Sequence, residues 1–381
     1  MHRLGIYIHV PFCLSKCPYC DFYSLAVSDS SGDEDKMDAY VSMLCSQLAW
    51  FSKEYPGYRA DTVYFGGGTP VLLGAKRLGR ILQAVRGNFS LVSGAEITLE
   101  ANPCLMDEAV CRELLSAGFN RISIGVQSLQ EEELALLGRR HDGKTALAAL
   151  DAAKNAGFGN ISADLMLATP GQTPGSLSRT LDILMETPVT HISAYLLKVE
   201  PGTPYYSMAA SGIITVPDED TVAQCYQLCV KRLTGEGFLQ YEISNFAEPG
   251  YECRHNLKYW QCGEYLGLGP HAHSFMNGRR FDFNATLAEY SELWKEEKFP
   301  MHENGPGGDL EEKLMLGLRL NQGVDLSGLN RDFGAELSPL LKKSREYERH
   351  GLMKTEGSRI FLTPEGFLVS NSIISGLLAL L

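Results

Sequence analysis

The sequence predicts an α/β protein with a parallel sheet, joined to a smaller, mostly helical C-terminal domain. Three observations carry that prediction. Six short β-branched or aromatic runs recur through the first two-thirds of the chain, helix-like stretches lie between them, and the texture changes to helices around one short hairpin beyond residue 309. Strands that alternate with helices imply parallel pairing through right-handed crossovers.

The strand runs fall at residues 5–10, 61–66, 96–101, 121–126, 161–167 and 191–199. Helical patterns occupy 36–55, 75–89, 106–119 and 143–158. "AGF" closes two of these helices, and a glycine there can take the left-handed conformation that stops a helix. Periodicity alone does not separate a doubly wound sheet from a partial barrel. From about 241 the chain turns rich in aromatics, Gly and His, and residues 241–275 read as irregular structure packed on the main domain. "MHENGPGGDLEEK" (301–313) reads as a linker. Helices, the hairpin "GLMKTEGSRIFLTPEG" and a last helix follow, an order that resembles a winged helix. The expected divisions are therefore 1–240, a connecting region 241–305, and 306–381.

Thirty-four basic against 46 acidic residues leave a net charge of −12, which disfavours a polyanionic partner. The winged-helix-like end carries mixed charge and no basic stripe, so packing or interaction is expected there rather than nucleic-acid binding. "MHRLGIYIHV" is too short and strand-like for a signal peptide, and no apolar run approaches the ~20 residues of a transmembrane helix. The greasy "SIISGLLALL" reads as the buried face of the last helix. Ten cysteines without a secretion signal point to a reducing cytoplasm, where close spacing suggests metal.

Ligands of parallel sheets and α/β barrels sit at the carboxyl ends of the strands. There this chain places a cysteine segment, then "GGGTP" (Gly66, Gly67, Gly68, Thr69), Glu100 with Asn102, Gln127 and Asp164. Any one could be an ordinary polar strand end. Five together predict a shared pocket, and Glu100 and Asp164 are carboxylates inside apolar runs, costly to bury without partners. The glycines would admit a ligand to the backbone and offer N–H groups to an anion or carboxylate.

The segment "CLSKCPYC" holds Cys13, Cys17 and Cys20 with no fourth cysteine nearby. Adding His9 would make a Cys3His zinc set, but His9 lies inside the first strand. Three thiolates on a four-iron cluster instead leave one iron open to a small chelating molecule. Chemistry favours the cluster and leaves zinc open.

The motif C-x3-C-x2-C after a first strand, with Tyr19 before the last cysteine, resembles the radical S-adenosylmethionine superfamily. "YIHVPFC", "CPYCDF", "FGGGTP", "EANP", "NRISIGVQS", "LGRRHD", "HNLKYW" and "YLGLG" occur in the order of the oxygen-independent coproporphyrinogen III oxidase-like family, closest to its haem chaperone branch. The resemblance implies a partial (β/α)6 barrel over 1–240. It implies a 4Fe-4S cluster on Cys13, Cys17 and Cys20, with S-adenosylmethionine on the open iron. Gly67, Gly68 and Thr69 would meet the methionine end of that molecule. Tyr7, Tyr19, Glu100, Gln127, Arg139 and Asp164 match positions lining the cofactor pocket, Arg139 as a carboxylate partner. Three of these six already stand out at the strand ends.

Two departures separate this chain from the oxidases of that family, which decarboxylate the propionates of coproporphyrinogen III. Phe22 stands where they carry a further cysteine, and only six residues precede Tyr7 where they have a longer segment. "HNLKYW" resembles the chaperone branch's haem-binding motif, which implies haem contacts by His255, Asn256, Tyr259 and Trp260. His271 and His273 are weaker ligand candidates, and Cys225 and Cys229, at helical spacing, read as core. The expectation is a haem chaperone with haem as cargo, an acceptor protein, an electron donor for the cluster and no assigned catalytic side chain; the alternative is the oxidase.

Overall fold

The structure, a computed structural model, describes residues 2–28, 30–295 and 301–381. Six parallel strands follow the predicted runs: β1 (His2–Val10), β2 (Tyr58–Gly67), β3 (Glu96–Ala101), β4 (Arg121–Gln127), β5 (Ile161–Leu167) and β6 (His191–Leu196). They pair in sequence order, and all five pairings are parallel. β6 stops three residues short of its predicted end, where the chain leaves towards Pro201.

The strands read as near-continuous apolar runs because helices cover the sheet. The long helices Ser31–Glu54, Gly74–Phe89, Glu108–Ala117 and Gly143–Ala156 match the predicted stretches to within a few residues. The two "AGF" glycines act as expected: Gly118 and Gly157 sit at φ 108° and 112° and end their helices. Cys225 and Cys229 are fully buried in the core, as their spacing predicts.

Residues 241–275 differ from the irregular structure expected. β7 (Leu239–Gln240) and β8 (Asn245–Ala247) extend the sheet antiparallel beyond β6, and β9 (Tyr265–Leu268) pairs parallel with β1 on the other side. β10 (His273–Met276), β11 (Arg279–Asp282) and β12 (His302–Pro306) continue that edge. The sheet so reaches twelve strands among the described residues, in the order β12-β11-β10-β9-β1-β2-β3-β4-β5-β6-β8-β7. These runs are two to five residues long, too short for alternation to show in the sequence. Part of the expected linker is likewise a strand, β12.

The C-terminal part has the helix–strand–helix–helix–hairpin order of a winged helix. Helices Leu310–Gly317, Leu326–Phe333 and Ser338–Arg349 pack with a three-stranded sheet in which Arg359–Leu362 lies between Val324–Asp325 and Met353–Glu356. The last helix, Ser370–Leu378, buries Ile373, Ile374 and Leu377. Among the described residues no helix is long and apolar enough to cross a membrane.

One buried carboxylate joins the late edge to the barrel. The helix Arg254–Trp260 has no side-chain cap of its own. Glu96, at the start of β3, accepts from the Arg254 and His255 amides (3.0 and 3.1 Å) and from the Cys253 thiol (3.5 Å), and so caps it across the fold. Glu96→Ala leaves those donors unpaired. At roughly 1–3 kcal/mol per orphaned buried donor, it should cost about 2 kcal/mol or more, read as a lower denaturant midpoint at unchanged slope.

Candidate functional site

The cysteine segment is held from two sides. After β1, Phe12–Cys13 pairs with Leu25–Ala26, and amides of Leu25 and Val27 donate to Pro11 (2.7 Å) and Cys13 (2.9 Å), closing the loop. The end of β2 grips the same strand: the Gly68 amide donates to Val10 O (2.8 Å) and the Thr69 amide to Phe12 O (2.7 Å). A Cβ on Gly68 would lie 2.6 Å from Phe12 O and 2.7 Å from Val10 O; Gly67, at φ +100°, would put one 2.5 Å from the His9 ring. "GGGT" therefore lets two backbones touch. The Gly68 and Thr69 amides are spent on that contact, and the Gly67 amide donates to the carboxylate of Glu100 at Oε2 (3.3 Å).

The carboxyl ends of the first six strands surround one cavity of about 470 Å³. Cys13, Cys17, Cys20 and Tyr19 line it from the loop, Gly67, Gly68 and Thr69 from β2, and Glu100, Gln127 and Asp164 from β3, β4 and β5, with Arg139 beside them. Thr69 Oγ1 donates to Cys13 Sγ (3.6 Å), and Arg139 Nη1 donates to Cys17 Sγ (3.5 Å) while its Nη2 holds Gly125 O (2.9 Å). Gln127 takes a left-handed φ of 65° at a register shift between β4 and β5. Among the described residues no three His, Cys, Asp or Glu side chains are gathered tightly enough to ligate one ion, so the thiols face the cavity without converging on a point.

The two carboxylates stand on adjoining hydrogen bonds. Tyr64 donates its hydroxyl to Glu100 (2.7 Å), and Ser123, opposite Glu100 in the sheet, donates to Asp164 (2.8 Å). Burial pushes Glu100 up to about 7; the Tyr64 hydroxyl, the Gly67 amide and Arg121 oppose the shift, and Asp164 adds to it. Burial also raises Asp164, against hydrogen bonds from Ser123 and Ser193. The cavity wall thus holds two acids whose burial favours the neutral form, and Glu100 is the one that changes charge near neutrality.

Tyr7 and "HNLKYW" sit elsewhere. Tyr7 lines a second cleft of about 480 Å³, not the first cavity, because its position in β1 turns its ring towards Tyr64 and His255. His255 is fully buried: Nδ1 meets Thr62 Oγ1 (2.7 Å), Nε2 meets Tyr259 Oη (2.8 Å), and the ring stacks on Tyr64 at 5.2 Å. Burial, with Lys258 and Arg121, drives it down to about 3, so it is a neutral imidazole with both nitrogens engaged. To contact an iron, either ring nitrogen of His255 would have to give up one of these hydrogen bonds. Tyr259 lines the second cleft, Asn256 is half-buried, and Trp260 reaches Glu242 instead. His9 points to Tyr23 O (2.9 Å) and the Tyr7 hydroxyl (3.2 Å), not to the cysteines, which removes the Cys3His alternative.

Two sets of site residues escaped the sequence reading. Tyr195 and Leu197, on and just after β6, line the first cavity; Tyr195 lies two residues beyond Ser193, the register partner of Asp164, so alternation along β6 could have marked it. Asp21 and Phe22 border both hollows, and no sequence signal brings them to His271 and His273.

Glu100 supplies a pH test. Its folded-state value lies above the ordinary carboxylate value, so its contribution to stability is full at low pH and is lost as pH rises through about 7. Glu100→Gln keeps the neutral shape, so its denaturant midpoint should fall less than that of the wild type between about pH 5 and about pH 8.

The radical SAM superfamily matches residues 7–184, and the HemN C-terminal domain matches residues 309–369. The heme chaperone HemW of Mycobacterium tuberculosis is 35% identical over 377 residues, covering 98% of this chain and 94% of that protein. The heme chaperone HemW of Bacillus subtilis is 32% identical over 377 residues, with 98% of each covered. Among solved structures, the coproporphyrinogen III oxidase HemN of Escherichia coli superposes with a TM-score of 0.84 over 100% of this chain and 91% of that one, at 23% identity, which speaks to the fold. With kinship of this extent to the curated relatives, the chain belongs to the heme chaperone HemW family of radical S-adenosylmethionine proteins.

Proposed function

We propose that this protein is a haem chaperone that binds haem and passes it to an acceptor protein. The observation that carries the proposal is kinship along nearly the whole chain to proteins named for that activity. The side chain of Phe22 agrees with it: 60% exposed, it stands where the related oxidases are expected to carry a further cysteine.

In this reading Cys13, Cys17 and Cys20 hold a 4Fe-4S cluster and the cavity beside them takes S-adenosylmethionine. Three soft thiolate donors on a short loop, one of them beside a guanidinium, suit such a cluster. When bound, the pair supplies one-electron reductive chemistry, fed by an external electron donor. The chain's own residues do the rest. Arg139 offsets thiolate charge at Cys17 and would take a carboxylate. Glu100 and Asp164, together with Gln127, present acceptors to amino and hydroxyl groups. The ten cysteines, all free, support a cytoplasmic setting.

The test is anaerobic purification with cluster reconstitution, haem titration, and assay with coproporphyrinogen III. Haem binding and transfer without formation of protoporphyrinogen is expected; turnover to protoporphyrinogen would overturn the proposal. Alanine at Cys13, Cys17 or Cys20 should abolish iron incorporation and its visible absorption, while the far-UV dichroism of the fold stays unchanged.

A further inference from the structure

Behind the thiol-lined cavity stands a carboxyl group that touches no part of it. Glu133, on the short helix Glu131–Leu136, is 2% exposed. Its Oε2 accepts from the Ser128 hydroxyl (2.6 Å) and Gln172 Nε2 (3.0 Å), and its Oε1 accepts from the Ser176 hydroxyl (2.5 Å). None of these partners is a cation. A buried carboxyl group is costly unless its acceptors are filled, so the three donors and Glu133 stand or fall as a set. None of the four side chains lines the cavity.

The donors lead to the cavity's frame. Ser128 follows Gln127, the last residue of β4, whose left-handed φ of 65° is uncommon for a residue with a side chain. The Ser128 amide closes that turn on Val126 O (2.9 Å), and His141 Nε2 meets the same oxygen (3.0 Å). The Ser128 hydroxyl also accepts from the Gln130 amide (3.1 Å), so its bond to Glu133 fixes the turn from the outer side. Gln172 does the same after β5: its Oε1 accepts from the amide of Ala168 (2.7 Å), itself at φ 55°. Ser176 belongs instead to the start of the helix Pro174–Met185, in a capping box with Thr173. Strained turns of the first two kinds persist only where their surroundings over-determine them.

The helix of Glu133 also delivers Arg139, whose amide donates to Leu134 O (2.9 Å). Arg139 and Gln127 then meet over one glycine. A Cβ on Gly125 would lie 2.9 Å from Gln127 Nε2 and 3.3 Å from Arg139 Nη2. The two cavity side chains so form the two ends of one loop, and Glu133 is the strut inside it.

We propose that Glu133 is a positioning residue for the cavity's ligand. By holding Ser128 it keeps Gln127 in its left-handed turn, side by side with Arg139, without touching the ligand itself. The proposal rests on the reading of that cavity as the S-adenosylmethionine site.

The experiment is anaerobic titration of the full, cluster-reconstituted chain with S-adenosylmethionine. Binding is followed by the electron paramagnetic resonance of the reduced cluster, and the denaturant midpoint of each variant is measured beside it. Glu133→Ala should weaken binding by roughly 10- to 100-fold, the range that loss of an outer-shell partner costs, with iron content unchanged. Ser128→Ala removes only the donor on the Gln127 side and should weaken binding by about 10-fold. Ser176→Ala removes only the donor on the helix side; it should lower the midpoint and leave affinity within about twofold. A merely structural carboxyl group would not separate the two serine variants. Ser128→Ala keeps the test decisive should Glu133→Ala fail to fold. If the wild type does not respond to S-adenosylmethionine, the cofactor reading and this assignment fall together. If it responds and Ser128→Ala keeps wild-type affinity, or Ser176→Ala loses as much as Ser128→Ala, only the assignment to Glu133 is overturned.

Discussion

The arrangement of this site depends on one backbone splice, the pair of hydrogen bonds by which Gly68 and Thr69 hold Val10 and Phe12. A side chain at Gly68 would overlap two carbonyl oxygens, and one at Gly67 would enter the His9 ring. With the splice in place, the cysteine loop starts from the rim of β2 and stands over the ends of the later strands. Its far side is pinned where the Tyr205 amide donates to Pro18 O (3.0 Å), and Gly138 has no Cβ to collide with the Pro18 ring. A loop of small and polar residues, with no core of its own, is thereby fixed at both shoulders.

The parts legible in the sequence are those set by strict period and strict topology. Alternating strand and helix textures imply a parallel sheet, and a parallel sheet sends every strand's carboxyl end to one rim, so Glu100, Gln127 and Asp164 could be grouped without coordinates. Tyr7 could not be placed that way, because its ring leaves β1 towards the late edge of the sheet, which the sequence did not reveal. His255 shows a related limit. A histidine beside two aromatics reads first as a packed residue, the motif's resemblance raises it as a haem contact, and the sequence did not reveal that Thr62 and Tyr259 engage both ring nitrogens. The second cleft was invisible because it joins Asp21–Tyr23 to His271–His273, segments far apart in the chain that the β1–β9 pairing brings to one side of the sheet.

That late edge also explains how the polar "HNLKYW" packs, with His255 buried and the other five residues half-buried. Arg121 is fully enclosed and sits in the field of Glu96 and Cys253; Lys258 pairs with Asp61 at 3.0 Å. The Lys258 and Asp61 charges are tolerated because they are paired, and removal of either leaves the other to the full desolvation cost. The motif therefore fastens the second half of the molecule to the barrel, and its spacing reflects that fastening: His255 and Tyr259, four residues apart on one helix, close a hydrogen bond with each other.

The two hollows share a wall, so what fills one lies a single layer of chain from what fills the other. Asp21 and Phe22 follow directly on Cys20 and touch both spaces. Any shift of this dipeptide that favours a guest on one side by some factor alters the affinity for a guest on the other side by that same factor, in both directions of the cycle. In that event a two-residue partition would link the two spaces without a hinge or a moving domain.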